Sequence, residues 1–175
     1  REAGAHMLSG AVLDPSALAE LVPDFATEAP LEAEVDEDHV YLLDGPSSQF
    51  RLPFTPAPLN NHGNYVISLN RFAKWMAGLV EAEGIDLFHG FSGTEVLLEG
   101  DRVVGVRTGD RGIYRHGQPR GAFEPGVDVR AKVTIFADGV RGNLTKQLLR
   151  RLPLAHGRAP QQFAIGIAQR RTQQS

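Results

Sequence analysis

The turn Ala137-Asp138-Gly139 carries the clearest chemical potential in the chain. It follows the apolar run Lys132–Phe136, whose β-branched and aromatic residues favour a buried strand. It precedes an amphipathic segment that favours a helix of about two turns. A strand that feeds a helix through small residues exposes backbone N–H groups, which suit a phosphate. Asp138 is an anion, so it would orient the turn or accept a hydrogen bond from a sugar-like hydroxyl. The turn therefore predicts half of a dinucleotide site.

The same residues also allow a purely structural interpretation. Asp-Gly after a strand is common in turns, and an Asp before a helix is a common cap. Taken alone, these residues favour the structural interpretation by a small margin, and the rest of the chain has to decide.

The sequence supports no other catalytic constellation. The chain has six histidines but no HExxH, no GxSxG and no close cluster of His with Asp or Glu. His62 lies among three asparagines and a glycine and is interpreted as a turn residue. A chain without cysteine holds no disulfide and no thiolate-bound metal. We therefore predict no catalytic residue and no metal ligand.

Composition narrows the class of protein further. The 175 residues carry a net charge of −3 and 42% hydrophobic residues, as in an ordinary globular protein. The acidic balance argues against a general nucleic-acid binder. No apolar run approaches the roughly 20 residues of a membrane span, although peripheral membrane contact stays open.

The order of the predicted elements indicates an α/β fold. Asn70 is a good helix cap, and the apolar spacing after it predicts a helix over 70–83. With strands at 65–69 and 85–88, this helix forms a strand–helix–strand unit, which is typical of a parallel layer. Antiparallel additions are a hairpin at 40–52 and a meander, in which strands at 94–98 and 103–107 precede a short strand at 127–129. Proline 15 after Asp14 predicts a short helix over 16–21.

Longer stretches resemble a known family of flavoproteins. The residues that carry the likeness are GAHMLSGAVLDPSALAELVPDF at 4–25, PLNNHGNYVISLNRFAKWM at 58–76, AKVTIFADGVRGNLTKQLL at 131–149 and PQQFAIGI at 160–167. Together they are similar to the electron transfer flavoprotein–ubiquinone oxidoreductases, which are FAD enzymes with a four-iron cluster. The likeness runs from about Arg1 to Ile167, and the polar tail from Gln169 departs from it.

The resemblance implies part of a two-dinucleotide-binding-fold FAD domain, with a parallel sheet layer plus the hairpin and meander. It also implies that the Gly-rich loop precedes Arg1 and that the cluster cysteines follow Ile167, so we expect an internal fragment of a longer protein. The expected segments are an FAD-domain segment with an acidic loop at 1–38, a quinone-side insertion at 39–64, the FAD-binding domain with its meander at 65–150, and the next segment with a disordered tail at 151–175.

The resemblance assigns the cofactor-binding residues. Asp138 would accept from a ribityl hydroxyl, N–H groups near Gly139 would face the pyrophosphate, and Arg141 and Gly142 would support the same loop. The remaining candidates contact other parts of FAD: Arg71 the phosphates, the Val96 amide the adenine, and Ser9, Gly10 and Ala11 the isoalloxazine.

The implied activity is electron transfer from reduced electron transfer flavoprotein, through FAD and a 4Fe-4S cluster, to ubiquinone in the respiratory chain. The hairpin would face the membrane, so we expect a peripheral protein on the cytoplasmic side of a bacterial inner membrane, or on the mitochondrial inner membrane in a eukaryote. We expect the 175-residue chain alone to be inactive and to bind FAD weakly or not at all. Two alternatives stay open: a related flavoprotein dehydrogenase of the nitrogen-fixation or geranylgeranyl-reductase type, and a truncated, non-catalytic α/β module.

Overall fold

The computed structural model describes residues 2–113, 118–154, 156–157 and 159. The chain divides between His89 and Gly90 into two compact units. The elements of the first unit are β1 (Gly10–Leu13), α1 (Ser16–Leu21), α2 (Phe25–Glu28), β2 (Leu31–Glu34), β3 (Tyr41–Gly45), β4 (Ser48–Arg51), a 3-10 turn (Ala57–Leu59), β5 (Tyr65–Ser68) and α3 (Leu69–Ala82). Those of the second unit are β6 (Gly93–Glu99), β7 (Arg102–Thr108), β8 (Arg111–Ile113), β9 (Pro119–Glu124), β10 (Asp128–Arg130) and α4 (Asn143–Arg151).

The first unit is built around a three-stranded sheet in the order β1-β5-β2, with both pairs antiparallel. The alternating pattern of β5 turns Ile67 inward, and Ile67 and Leu18 of α1 are its buried core residues. The helix α3 follows β5 directly and contacts it, and within α3 the rings of Phe72 and Trp75 lie 5.4 Å apart. The sheet therefore fixes where the first turn of α3 lies.

The hairpin β3–β4 stands apart from that sheet. Its strands pair only with each other, and every one of their residues is exposed. The base is closed by the Leu52 N–H, which donates to the Val40 carbonyl at 2.8 Å, and by Arg51 Nη2, 2.9 Å from His39 Nδ1. A two-stranded hairpin on its own is only marginally stable in water, and these contacts add to its pairing.

The second unit is a meander in the order β10-β7-β6, again antiparallel, with the separate hairpin β8–β9. Val96 of β6 and Val104 of β7 are buried, and α4 packs along β6. No helix among the described residues is long and apolar enough to cross a membrane.

Several sequence predictions are confirmed. Helix α1 covers the predicted residues 16–21, α3 matches the predicted 70–83 to within a residue, and α4 begins shortly after the Asp-Gly turn. Both antiparallel features also form, since β3 pairs with β4 and β10 pairs back onto β7.

Two predicted strands are wrong. Residues 85–88 and 132–136 form no strand in the part of the chain that the structure describes. Val133 and Ile135 are 77% and 87% exposed, so the predicted burial is absent as well. An apolar, β-branched run becomes a strand only when a neighbouring strand pairs with it. The parallel layer of the predicted α/β fold stays a prediction, as do the four expected segments.

Candidate functional site

The carboxylate of Asp138 caps helix α4. Its Oδ2 accepts from the N–H groups of Leu144 at 2.9 Å and Thr145 at 3.2 Å, and its Oδ1 accepts from the Thr145 hydroxyl. The hydrogen bond from that hydroxyl, reinforced by the two N–H groups, lowers the pKa of Asp138. A carboxylate here also complements the positive end of the helix. The cap foreseen in the structural interpretation is therefore formed.

Glycine is required at the residue that begins α4 for a steric reason. Gly142 is the N-cap, with φ −50° and ψ 132°, a conformation open to any residue. A Cβ built on it would overlap the carboxyl group of Asp138. Gly142 thus leaves the space that the Asp138 cap occupies.

The middle of the turn is open on one side. Gly139 has φ +77°, a left-handed conformation that favours glycine, and a Cβ there would meet no atom within 4 Å. The Arg141 carbonyl accepts from Lys146 Nζ at 2.9 Å, which ties the turn to the second turn of α4. The four predicted residues Asp138, Gly139, Arg141 and Gly142 therefore lie together in one turn.

The amide of Val96 is engaged by a side chain of α4. The Gln147 Oε1 accepts from the Val96 N–H at 3.2 Å, and the Gln147 Nε2 donates to the Thr94 carbonyl at 2.7 Å. Since β6 is an edge strand, this carboxamide pairs with its free edge much as another strand would. An adenine ring could use the Val96 amide only after Gln147 had moved.

The other predicted residues lie in the first unit, at the start of α3. β1 pairs with β5 so that Gly10 lies opposite Ser68 and Ala11 opposite Ile67, and the Ser9 carbonyl accepts from the Leu69 N–H at 3.4 Å. Arg71 Nη1 lies 2.6 Å from Glu32 Oε1 of β2 in an exposed ion pair. The pairing of β1 with β5 therefore brings Ser9, Gly10 and Ala11 to the helix end that carries Arg71.

The first turn of α3 differs from its sequence prediction. Asn70 was expected to cap α3, but the N-cap is Ser68, without a side-chain capping bond. The Asn70 Nδ2 instead donates to the Gly4 carbonyl at 2.7 Å. Gly4 has φ +77°, and a Cβ there would lie 2.5 Å from the Asn70 carbonyl oxygen. The turn around Gly4 therefore docks closely on the helix start.

His62 behaves as a turn residue. Its N–H donates to the Asn60 side-chain oxygen at 3.0 Å, while nearby Asp38 accepts from the Asn61 N–H and Nδ2 at 2.5 and 3.0 Å. The Asn61 side chain is the main cause that lowers the pKa of Asp38. No group of three or more His, Cys, Asp or Glu among the described residues could hold a metal ion.

Sequence reasoning missed the two side chains that complete the site in the second unit, Thr145 and Gln147. Thr145 lies seven residues after Asp138 and could have been considered as a partner of the cap. Gln147 contacts Val96 and Thr94, which lie 51 and 53 positions before it in the chain. No local pattern predicts such contacts. His116, the stretch 160–167 and the tail from Gln169 lie outside the described residues.

Comparison with known proteins identifies relatives along nearly the whole chain. No family model matches it. It is 42% identical over 171 residues to the electron transfer flavoprotein–ubiquinone oxidoreductase of Pseudomonas aeruginosa, which is 95% of this chain and 31% of that protein. The mitochondrial enzyme of Bos taurus is 43% identical over 169 residues, which is 94% of this chain and 27% of that protein. A probable enzyme of the same name from Acinetobacter baylyi is 42% identical over 95% of this chain and 30% of its own length.

The chain thus spans about 30% of the length of these relatives. The resemblance noted in the sequence is confirmed by identity that extends far beyond the Asp-Gly turn. Along 95% of its length, the chain is therefore homologous to a part of the electron transfer flavoprotein–ubiquinone oxidoreductases.

Proposed function

We propose that the protein is an FAD-dependent oxidoreductase that passes electrons from reduced electron transfer flavoprotein to ubiquinone. The observation that carries this proposal is the 42% identity over 95% of the chain to a protein of that name. The chain spans about 30% of that relative's length, so the activity, the 4Fe-4S cluster and both partners are proposed for the protein of full length.

The turn 138–142 has features that fit a flavin nucleotide. Asp138 already accepts from a hydroxyl group, that of Thr145, and a sugar hydroxyl presents the same donor. The space beside Gly139 admits a close approach of a ligand to the backbone. In this proposal Asp138 orients the ribityl chain and Gly139 faces the pyrophosphate, while Arg141 and Gly142 shape the loop.

The proposed contacts of the other residues keep to their places in the structure. The backbone of Ser9, Gly10 and Ala11 runs along β5 and would lie near the isoalloxazine. The Arg71 side chain would leave its ion pair with Glu32 and bind a phosphate of FAD. Val96 would meet adenine once Gln147 had left its amide. When bound, FAD supplies the redox chemistry, and the protein supplies binding and orientation. Electron transfer of this kind needs no triad or general base from the chain.

The hairpin β3–β4 supports a peripheral membrane location on the quinone side. Large apolar side chains on it and just after it are strongly exposed: Tyr41 44%, Leu42 56%, Leu43 77%, Phe50 61% and Phe54 65%. Exposed apolar groups that adjoin one another mark interaction surfaces, including membrane contacts. We place this surface at the inner membrane of a bacterium on its cytoplasmic side, or at the mitochondrial inner membrane.

The first experiment measures FAD in the protein of full length. The full-length protein should be yellow when purified, and the variant Asp138→Ala should contain less flavin. Because Asp138 also caps α4, Asp138→Asn is the matched variant, since asparagine caps helices about as well as aspartate. A colourless full-length protein that takes up no added FAD would contradict the proposal. Equal flavin occupancy in wild type and both variants would contradict the role of Asp138.

The second experiment measures binding to vesicles. Leu43→Glu with Phe50→Glu should weaken co-sedimentation with phospholipid vesicles, because each change adds a charge to the exposed hairpin. Leu21→Glu with Ile85→Glu is the control, since Leu21 and Ile85 are also exposed, at 77% and 56%, but lie outside the hairpin. Equal losses in both double variants would contradict a membrane role of the hairpin.

A further inference from the structure

A cleft between β6 and α4 gathers cations without any carboxylate. Its volume is about 330 Å³, and its lining includes Ser92, Thr94, Asn143, Lys146, Gln147 and Arg150. Lys146 and Arg150 are four residues apart on α4, so they lie on the same face of the helix. The cleft therefore combines two positive charges with neutral polar groups.

Three arginines of this unit are neutralised by carboxylates. Arg107 pairs with Asp128 at 2.6 Å, Arg111 with Glu124 at 3.2 Å and Arg130 with Glu99 at 2.8 Å. By contrast, neither Lys146 nor Arg150 forms an ion pair with a carboxylate among the described residues, and Lys146 donates only to the Arg141 carbonyl. Their positive charge is therefore left for another anion.

An acidic residue on the neighbouring surface of β6 is paired with another cation. Glu95 lines the adjoining cleft of about 500 Å³, which shares Thr94, Gln147 and Arg150 with the first. However, Glu95 Oε2 lies 3.7 Å from Arg107 Nη1 and is committed to that ion pair. Asp138 is committed as well, because it caps α4.

One wall of the cleft is held rigidly. Both polar atoms of the Gln147 carboxamide are bonded to the backbone of β6, so α4 cannot rotate freely against the sheet. Lys146 and Arg150 stand on either side of Gln147 along the chain. Fixing Gln147 therefore also fixes the backbone from which the exposed side chains of Lys146 and Arg150 extend. A fixed backbone removes part of the entropy cost of binding an anion.

We propose that this cleft binds the phosphate group of a small molecule, held by Lys146 and Arg150. Phosphate suits the site because it offers several acceptor oxygens to an ammonium, a guanidinium and the surrounding hydroxyl and amide donors. The volume is at the lower end of the range for small-molecule sites. The site differs from the proposed pyrophosphate contact at the turn 139–142. It shares Gln147 with the proposed adenine contact at Val96, so it is proposed for the chain without bound FAD.

The test is an NMR titration of the 175-residue chain with inorganic phosphate, and separately with ribose 5-phosphate, at constant ionic strength. Backbone signals of Thr94, Asn143, Lys146 and Arg150 should shift and saturate. Lys146→Gln with Arg150→Gln should weaken binding at least about tenfold, since two charge-assisted contacts are lost. The control, Lys74→Gln with Arg130→Gln, removes two cations that are paired with Glu2 and Glu99 and should leave affinity unchanged.

Each result decides the proposal. Tighter binding of ribose 5-phosphate identifies a phosphorylated metabolite as the ligand, and equal or tighter binding of inorganic phosphate identifies the free ion. Both substituted side chains of the cleft are exposed, so the amide spectrum of the double variant should stay that of a folded chain. The variant in which Arg150→Lys replaces Arg150→Gln should regain part of the affinity. Shifts that do not saturate with either probe, or equal weakening in the control, would overturn it. FAD occupancy does not enter this test, so it stands or falls apart from the proposed flavin activity.

Discussion

The carboxylate of Asp138 occupies the space that a side chain at Gly142 would need. That one relationship joins the Asp-Gly turn to the start of α4, because the same carboxylate accepts from two free N–H groups in the first turn of the helix, those of Leu144 and Thr145. Asp138 and Gly142 therefore have to be considered as a pair in any interpretation of this turn.

Gly142→Ala should destabilise the second unit by about 1–3 kcal/mol, the usual cost of forcing extra atoms into occupied space. The backbone conformation at Gly142 is allowed for alanine, so the backbone itself adds no strain. The new methyl group would instead overlap the carboxyl group of Asp138 and displace it from the cap. Urea unfolding followed by circular dichroism measures the loss. Gly78→Ala is the control, because nothing lies within 4 Å of a Cβ there, and it should stabilise α3 by about 0.5–1 kcal/mol. Equal effects of the two changes would disprove the steric pairing.

The stabilisation of α4 by the Asp138 cap should decrease in acid, because protonation removes the charge of the carboxylate. Its pKa is lowered in the folded protein, chiefly by the Thr145 hydroxyl, whereas an unfolded Asp titrates near a pKa of about 3.9. The contribution is therefore fully present above that value and is lost as the pH falls through the lower folded pKa. Carboxyl NMR titration of Asp138 measures the shift. Thr145→Val should move the pKa back toward its ordinary value, and an unmoved pKa would show that the hydroxyl is not the main cause.

Gly4→Ala should destabilise the first unit more than Gly63→Ala does. Both glycines have a left-handed φ, +77° and +81°, which costs a non-glycine residue about 1–2 kcal/mol. Only at Gly4 would the Cβ also approach the Asn70 carbonyl oxygen, at 2.5 Å, whereas at Gly63 it would meet nothing within 4 Å. Thermal unfolding of the two variants separates strain from overlap. If the two variants have the same melting temperature, the close contact of the Gly4 turn with α3 is contradicted.

Gln147→Ala should lower the free energy of unfolding of the second unit by about 1–3 kcal/mol, because the part-buried Val96 N–H loses its acceptor. Hydrogen exchange at the Val96 amide should become faster than in the wild-type chain. Gln49→Ala, in the exposed strand β4, should stay within about 0.5 kcal/mol of wild type. Unchanged exchange at Val96 in Gln147→Ala would mean that the carboxamide does not protect the edge of β6.

Elements whose signals are local could be predicted from the amino-acid sequence. The apolar spacing of α3, the Asp14-Pro15 start of α1 and the turn residues of the hairpins depend on neighbours a few positions away, and all these elements form. The turn before α4 was located for the same reason, and its stretch of sequence is one of those that carry the resemblance to the known flavoproteins.

The contacts between those elements depend on how the chain folds and were not predictable from local patterns. The run 132–136 has the composition of a strand, yet it forms none among the described residues, because pairing requires a second backbone that composition does not specify. The same holds for the bond from Gln147 to Val96 and for Asn70, which binds Gly4 rather than capping its own helix. These contacts join residues far apart in the chain, and their energies depend on distances that folding alone sets.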